Sequence, residues 1–110
     1  MSLADKTCIP CHGGVPRLTP AQISVLITEL SGWNVFNDTK LQTVVKTKNF
    51  LEALKLANDI GAIAEEQGHH PDLLVRWGSI SIDLWTHAID GLSEADFILA
   101  AKIDRLLHHL

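Results

Sequence analysis

Apolar residues recur at two spacings along this chain, and the switches between them mark its elements. Ile23, Leu26, Ile27 and Leu30 follow helical spacing. Thr19-Pro20-Ala21-Gln22 reads as the start of that helix: Thr19 can cap, Pro20 suits the first helical position and Gln22 can complete a capping box. Ser31-Gly32 ends it, glycine being suited to a left-handed turn. Residues 33–36 are short and apolar, as a strand is, and Asn37-Asp38-Thr39 supplies turn chemistry. Over residues 41–48, Leu41, Thr43, Val45 and Thr47 alternate with Gln42, Val44, Lys46 and Lys48, so these two segments predict a hairpin.

The same order then repeats. Asn49-Phe50-Leu51-Glu52 is a second capping box, and Phe50, Ala53, Leu54, Ala57, Ile60 and Ala64 recur at helical spacing. Gly61 weakens that helix a little, and it should end near Gly68 because Pro71 disfavours helical geometry at His70. Residues 73–77 and 80–85 predict a hairpin turning at Gly78-Ser79. Ile80, Ile82 and Leu84 face one way. Ser81, Asp83 and Trp85 face the other, with His87 in phase if the strand persists. Ser93-Glu94-Ala95-Asp96 opens a last helix, with Phe97, Ala100, Ile103, Leu107 and Leu110 as its apolar stripe. The expectation is an α+β fold, α-β-β-α-β-β-α, with a four-stranded antiparallel sheet and three helices on one face.

Composition narrows this picture. At 110 residues, 46% of them hydrophobic, the chain can build one core. We expect a flexible arm over residues 1–18 and a single domain over 19–110. No apolar run is long enough to span a membrane, and the first residues lack the apolar core of a signal peptide, so a cytoplasmic location is expected. The net charge is −4: residues 1–55 carry six Lys/Arg against four Asp/Glu, residues 56–110 three against nine. That balance offers no basic face for nucleic acid and better suits a small ligand or a protein partner. In the arm, Cys8-Ile9-Pro10-Cys11-His12 matches a haem-attachment pattern, but no export signal accompanies it and the only Met is Met1. Zinc would need a fourth ligand, from His108, His109 or another subunit. Two reduced thiols are the simpler reading.

The chemistry-bearing residues cluster late: Glu65, His69, His70, Pro71, Trp77, Thr86, His87 and Asp96. Imidazole titrates near neutral pH, so it can both give and take protons there. The chain leaves the helix at the His69-His70 pair, so both rings can line one cleft, with His87 at the end of the neighbouring hairpin. Glu65 lies one helical turn before His69 and can orient an imidazole or hold a polar ligand. The plainer alternatives are a helix terminus favoured by the dipole for the pair, and a capping-box acid for Asp96. Zinc on three histidines and Glu65 is disfavoured, because helical metal motifs place their ligands four residues apart.

The run Glu65-x3-His69-His70-Pro71-x5-Trp77-x9-His87-x8-Asp96 resembles the signature of the pterin-4a-carbinolamine dehydratase family at seven defined positions. Gly32-Trp33-Asn34 and Gly91-Leu92-Ser93-Glu94 resemble the family's lead-ins to its first strand and last helix, so the likeness covers about residues 19–107. The resemblance implies dehydration of 4a-hydroxytetrahydropterin to quinonoid dihydropterin, which recycles the cofactor of aromatic amino acid hydroxylases. It implies His69, His70 and His87 as catalytic residues, Glu65, Thr86 and Asp96 as substrate-binding or supporting residues, and neither metal nor organic cofactor. Trp33 and Trp77 are expected to pack. It further implies a homodimer or homotetramer. The alternatives it leaves are a protein-interaction or transcriptional dimerisation role, or a dehydratase of molybdopterin metabolism. The chain departs from the animal enzyme at Gly68 and Ala88, where acids stand, and at Trp85, where a serine stands; Trp85 is expected to stack on the pterin ring.

Overall fold

In the computed structural model, which describes residues 2–8 and 15–108, three helices and four strands alternate in the expected order. Helix α1 spans Pro20–Leu26, strand β1 Asn34–Phe36 and β2 Lys40–Lys46. Helix α2 spans Phe50–Gln67, followed by β3 (Asp72–Arg76), β4 (Ser79–Leu84) and α3 (Glu94–Leu107). All strand pairs are antiparallel, in the spatial order β1-β2-β4-β3. No helix among the described residues is long and apolar enough to cross a membrane.

Local chemistry sets the helix ends. Thr19 and Gln22 form the expected capping box, with Gln22 N–H donating to Thr19 Oγ1 and Thr19 N–H to Gln22 Oε1. The first helix is shorter than its pattern suggests: after Leu26 it tightens into a 3-10 turn over Ile27–Glu29. At α2, Asn49 caps Glu52 N–H as expected, but the Glu52 carboxylate reaches Lys48 N–H rather than that of Asn49.

The strand alternation decides where the core lies. Leu41, Ile80, Ile82 and Leu84 face the helices and have no exposed surface, and Phe97, Leu99 and Ile103 of α3 meet them. The opposite sheet face stays open, with Val44 and Leu74 exposed. Trp33 packs as expected: its indole N–H donates to Asp104 Oδ1 at 2.7 Å, and Ser31 N–H donates to Oδ2 at 2.8 Å. Trp77 does not pack. Strand β3 ends at Arg76, so Trp77 falls in the hairpin turn and is 70% exposed.

Residues 2–8, expected from composition to be part of a loose arm, lie against the domain. Leu3, in a 3-10 turn over Leu3–Asp5, is buried, as is Cys8. Lys102 donates to Ala4 O, and Cys8 N–H donates to Gln67 Oε1. The Ser2 hydroxyl and the Arg105 guanidinium hold the Asp5 carboxyl below the usual carboxylate range. Cys11, His12, His109 and Leu110 lie outside the described residues.

Asp104 ties the first strand's lead-in to the last helix by a charge-assisted hydrogen bond. We therefore expect Trp33→Phe to lower the unfolding free energy by about 1–3 kcal/mol. Urea denaturation checks this, and an unchanged midpoint would show that the indole bond does not stabilise the fold.

Candidate active site

The histidine pair owes its geometry to the way α2 stops. Gly68 sits in the left-handed region at φ 66°, and His69 N–H reaches back to Ala64 O at 3.2 Å. This is a Schellman arrangement, for which glycine is the residue of least strain. Reversing the chain within one residue sends the two rings in different directions. His69 turns inward and is 9% exposed; His70 stays in solvent, its side chain 59% exposed. Pro71 then leads directly into β3.

His69 meets Asp96 of α3, its Nε2–H donating to Oδ1 at 2.6 Å. Asp96 has no exposed surface and is shared by three partners. Its other oxygen, Oδ2, accepts from Ser93 N–H at 2.9 Å and from the Thr86 hydroxyl at 2.8 Å. The Ser93 hydroxyl in turn lies 2.7 Å from Thr86 Oγ1. Asp96 is thus both the capping-box acid of α3 and the partner of His69. Its carboxylate assigns the proton of a neutral His69 ring to Nε2, which leaves the basic lone pair on Nδ1.

The third histidine stands on a short turn beyond β4. Thr86 and Gly91 form an isolated antiparallel bridge, with Thr86 N–H donating to Gly91 O at 2.8 Å. His87–Ile89 make a 3-10 turn, and Asp90 closes it at φ 48°. The strand does not persist to His87, but the alternation does. Trp85 and His87 emerge on the same side with rings stacked, 4.2 Å between centroids and 17° between planes. Lys40 places its ammonium over the Trp85 ring, 4.7 Å from the centroid.

Gly68, His69, His70, Trp85, Thr86, His87 and Ala88 line one open cleft of about 240 Å³, a volume suited to a small ring system. Larger grooves, of about 600 and 860 Å³, lie over the open sheet face and beside the start of α2, and neither contains a histidine. All three histidines expected from the sequence therefore share one cleft. Among the described residues no three His, Cys, Asp or Glu side chains converge as metal ligands.

Four of the expected site residues have these surroundings. Asp96 has no exposed surface, and its carboxylate bonds His69 and Thr86. Thr86 lines the cleft, but its hydroxyl is spent on Asp96 and Ser93. Glu65 pairs with His70 rather than His69, because the Schellman turn carries His69 off the helix face. Trp85 has one ring already stacked on it, that of His87, so that surface is not open to a ligand. Ser93, expected as a cap and as part of the lead-in to the last helix, also joins the buried network.

A profile of the family described as "Pterin 4 alpha carbinolamine dehydratase" matches residues 16–106. The chain is 51% identical over 105 residues to a protein of Alkaliphilus metalliredigens provisionally named pterin-4-alpha-carbinolamine dehydratase, covering 94% of this chain and 95% of that one. A protein of Rubrobacter xylanophilus with the same provisional name is 48% identical over 104 residues, covering 94% of this chain and 97% of that one. Among solved structures, the transcriptional coactivator/pterin dehydratase of Brucella melitensis superposes with a TM-score of 0.76 at 25% identity. That match covers 83% of this chain and 98% of the other.

The two carboxylate–histidine pairs differ in burial, and their stabilities should differ accordingly. Asp96→Ala removes a cap and strips partners from buried groups, so it should cost about 3 kcal/mol. Glu65→Ala breaks a pair whose side chains are 79% and 59% exposed, and should cost at most about 1 kcal/mol. Equal losses in chemical denaturation would contradict this division.

Proposed function

The chain belongs to the pterin-4-alpha-carbinolamine dehydratase family, and from that premise we propose that it removes water from a 4a-hydroxytetrahydropterin to give the quinonoid dihydropterin. The observation that carries the reading is the convergence of His69, His70 and His87 on one small cleft. In the reaction the C4a–O bond breaks and its electron pair leaves with the oxygen. A proton delivered to that oxygen releases water, while loss of the N5 proton lets the nitrogen lone pair form the C4a=N5 double bond. Nothing is oxidised or reduced, so acid–base groups that work near neutral pH meet the demand.

His69 and His87 are the proton-transfer groups in this reading. Asp96 positions His69 from behind. His70, held by Glu65, orients the pterin at the solvent side. Trp85 and Thr86 shape the wall of the cleft. The cycle served is recycling of the tetrahydropterin cofactor of aromatic amino acid hydroxylases, in the cytoplasm. A protein whose only role was to dimerise or coactivate would have no use for a histidine steered into a cleft by a buried carboxylate.

The enzyme of this proposal is a homodimer or homotetramer. Phe50, Leu51 and Leu54 at the start of α2 are 46%, 76% and 39% exposed, an apolar surface of the kind that partners cover. Sedimentation equilibrium should give a dimer or tetramer, and Leu51→Asp should shift it toward smaller species. A monomer at every concentration tested would rule this out.

The decisive assay generates 4a-hydroxytetrahydropterin and follows its dehydration. Wild type should exceed the uncatalysed rate. His69→Ala and His87→Ala should each lose roughly 10²- to 10⁴-fold in kcat. No acceleration by wild type removes the proposed reaction, and wild-type rates in both variants remove the assigned residues.

A further inference from the structure

The turn that presents His87 is held from outside by a residue of the N-terminal segment. Arg17 Nε–H donates to Ile89 O at 2.7 Å, the last carbonyl of the 3-10 turn that begins at His87. The next residue continues the attachment, Leu18 N–H donating to Leu92 O at 2.9 Å. Between these two anchors lies Gly91, buried under the Arg17 stem. A Cβ built on Gly91 would stand 2.9 Å from Arg17 Cδ and 3.1 Å from both Cγ and Nε. Gly91 has no positive φ to explain it, so the close approach of the arginine stem is the constraint that favours glycine here.

The turn needs such an anchor. Its own closure consists of the Thr86–Gly91 bridge, with one bond of 2.8 Å and a second, Gly91 N–H to Thr86 O, that is long at 3.4 Å. Two further bonds inside it, from Ile89 N–H to Thr86 O and from Asp90 N–H to His87 O, are 3.2 Å each. Asp90 adopts a left-handed conformation, which adds some backbone strain to the turn. With one short bond closing it, such a turn gains order from a further anchor outside it. An exposed histidine on such a turn would be spread over several orientations.

We propose that Arg17 is a positioning residue for His87, clamping the 86–91 turn so that the imidazole stays stacked on Trp85 at the mouth of the cleft. The proposal rests on the reading above only in giving His87 a part in the reaction. Arg17 itself is exposed, is not among the residues lining the cleft, and acts through the backbone at Ile89 and the packing on Gly91. The stretch of chain just ahead of α1 is then part of the site's rigidity.

The test separates the clamp from the chemistry. Stacking on an indole shields the His87 ring protons, so the His87 Cε1–H signal, assigned with His87→Gln, should lie upfield of the other histidines in the full-length protein. In Arg17→Ala that displacement should collapse, and kcat for carbinolamine dehydration should fall roughly ten- to hundredfold with KM within about twofold. Gly91→Ala, which pushes the arginine stem aside, should reproduce both changes. Arg17→Lys, which keeps a donor on an unbranched stem, should restore much of both. An unchanged His87 signal in Arg17→Ala and Gly91→Ala overturns the clamp, whatever the rates do. If wild type does not accelerate dehydration at all, the proposed function falls, while the His87 signal still decides the clamp.

Discussion

One buried carboxylate joins the fold of this protein to its candidate site. Asp96 sits in the first turn of α3, where an acid satisfies an otherwise orphaned N–H and complements the helix dipole. It has no exposed surface, so every lone pair must find a donor within the protein. The donors come from three places: Ser93 at the helix start, Thr86 at the end of β4, and His69 at the end of α2. Each belongs to a different element. Satisfying one charge therefore fixes the relative placement of α2, β4 and α3, and the cleft is where those three ends meet. A network of this kind rigidifies when complete and is costly when broken, because the low dielectric that strengthens each bond also penalises any orphan.

The stop of α2 supplies the complementary asymmetry. Without a left-handed residue at position 68 the helix would carry His69 and His70 onward at 100° intervals, and one of them would face away from the cleft. Gly68 instead reverses the chain, so that consecutive imidazoles serve opposite environments. One is buried against a carboxylate that sets its tautomer. The other stays in water with Glu65, in a pair that holds little energy and can rearrange. The cleft thus has a fixed inner wall and an adaptable rim, the combination that the proposed reaction calls for.

Much of this was legible in the sequence, and what was not has physical causes. The order of all seven regular elements was legible, most of them from apolar repeats at 3.6 or 2 residues and the first strand from a short apolar run between turn residues. The cleft's histidines were legible from a spaced pattern. The partner of Glu65 was not: helical spacing pointed to His69, and only the conformation at Gly68 reassigned the contact to His70. Asp96 offered two readings, cap and site residue, and the structure makes them one. Trp77 looked like core by composition yet fell one residue beyond its strand, where burial no longer applies. Lys40 over Trp85 and Arg17 against Ile89 gave no signal, since both are contacts between segments far apart in sequence with no periodic partner.

The departure at Trp85 gains its meaning from this frame. An indole two residues before His87 emerges on the same side of the chain, because β alternation carries past the end of β4. A serine there would leave one face of the imidazole to solvent. The indole covers that face and is itself held by the Lys40 ammonium, whose attraction to the ring quadrupole orients both. His69 is fixed by a hydrogen bond in the interior, whereas His87 is exposed and has no carboxylate partner among the described residues. Its orientation must come from stacking and from the backbone turn beneath it. The two histidines are thus held by different physics, one through a buried charge and the other through an aromatic surface.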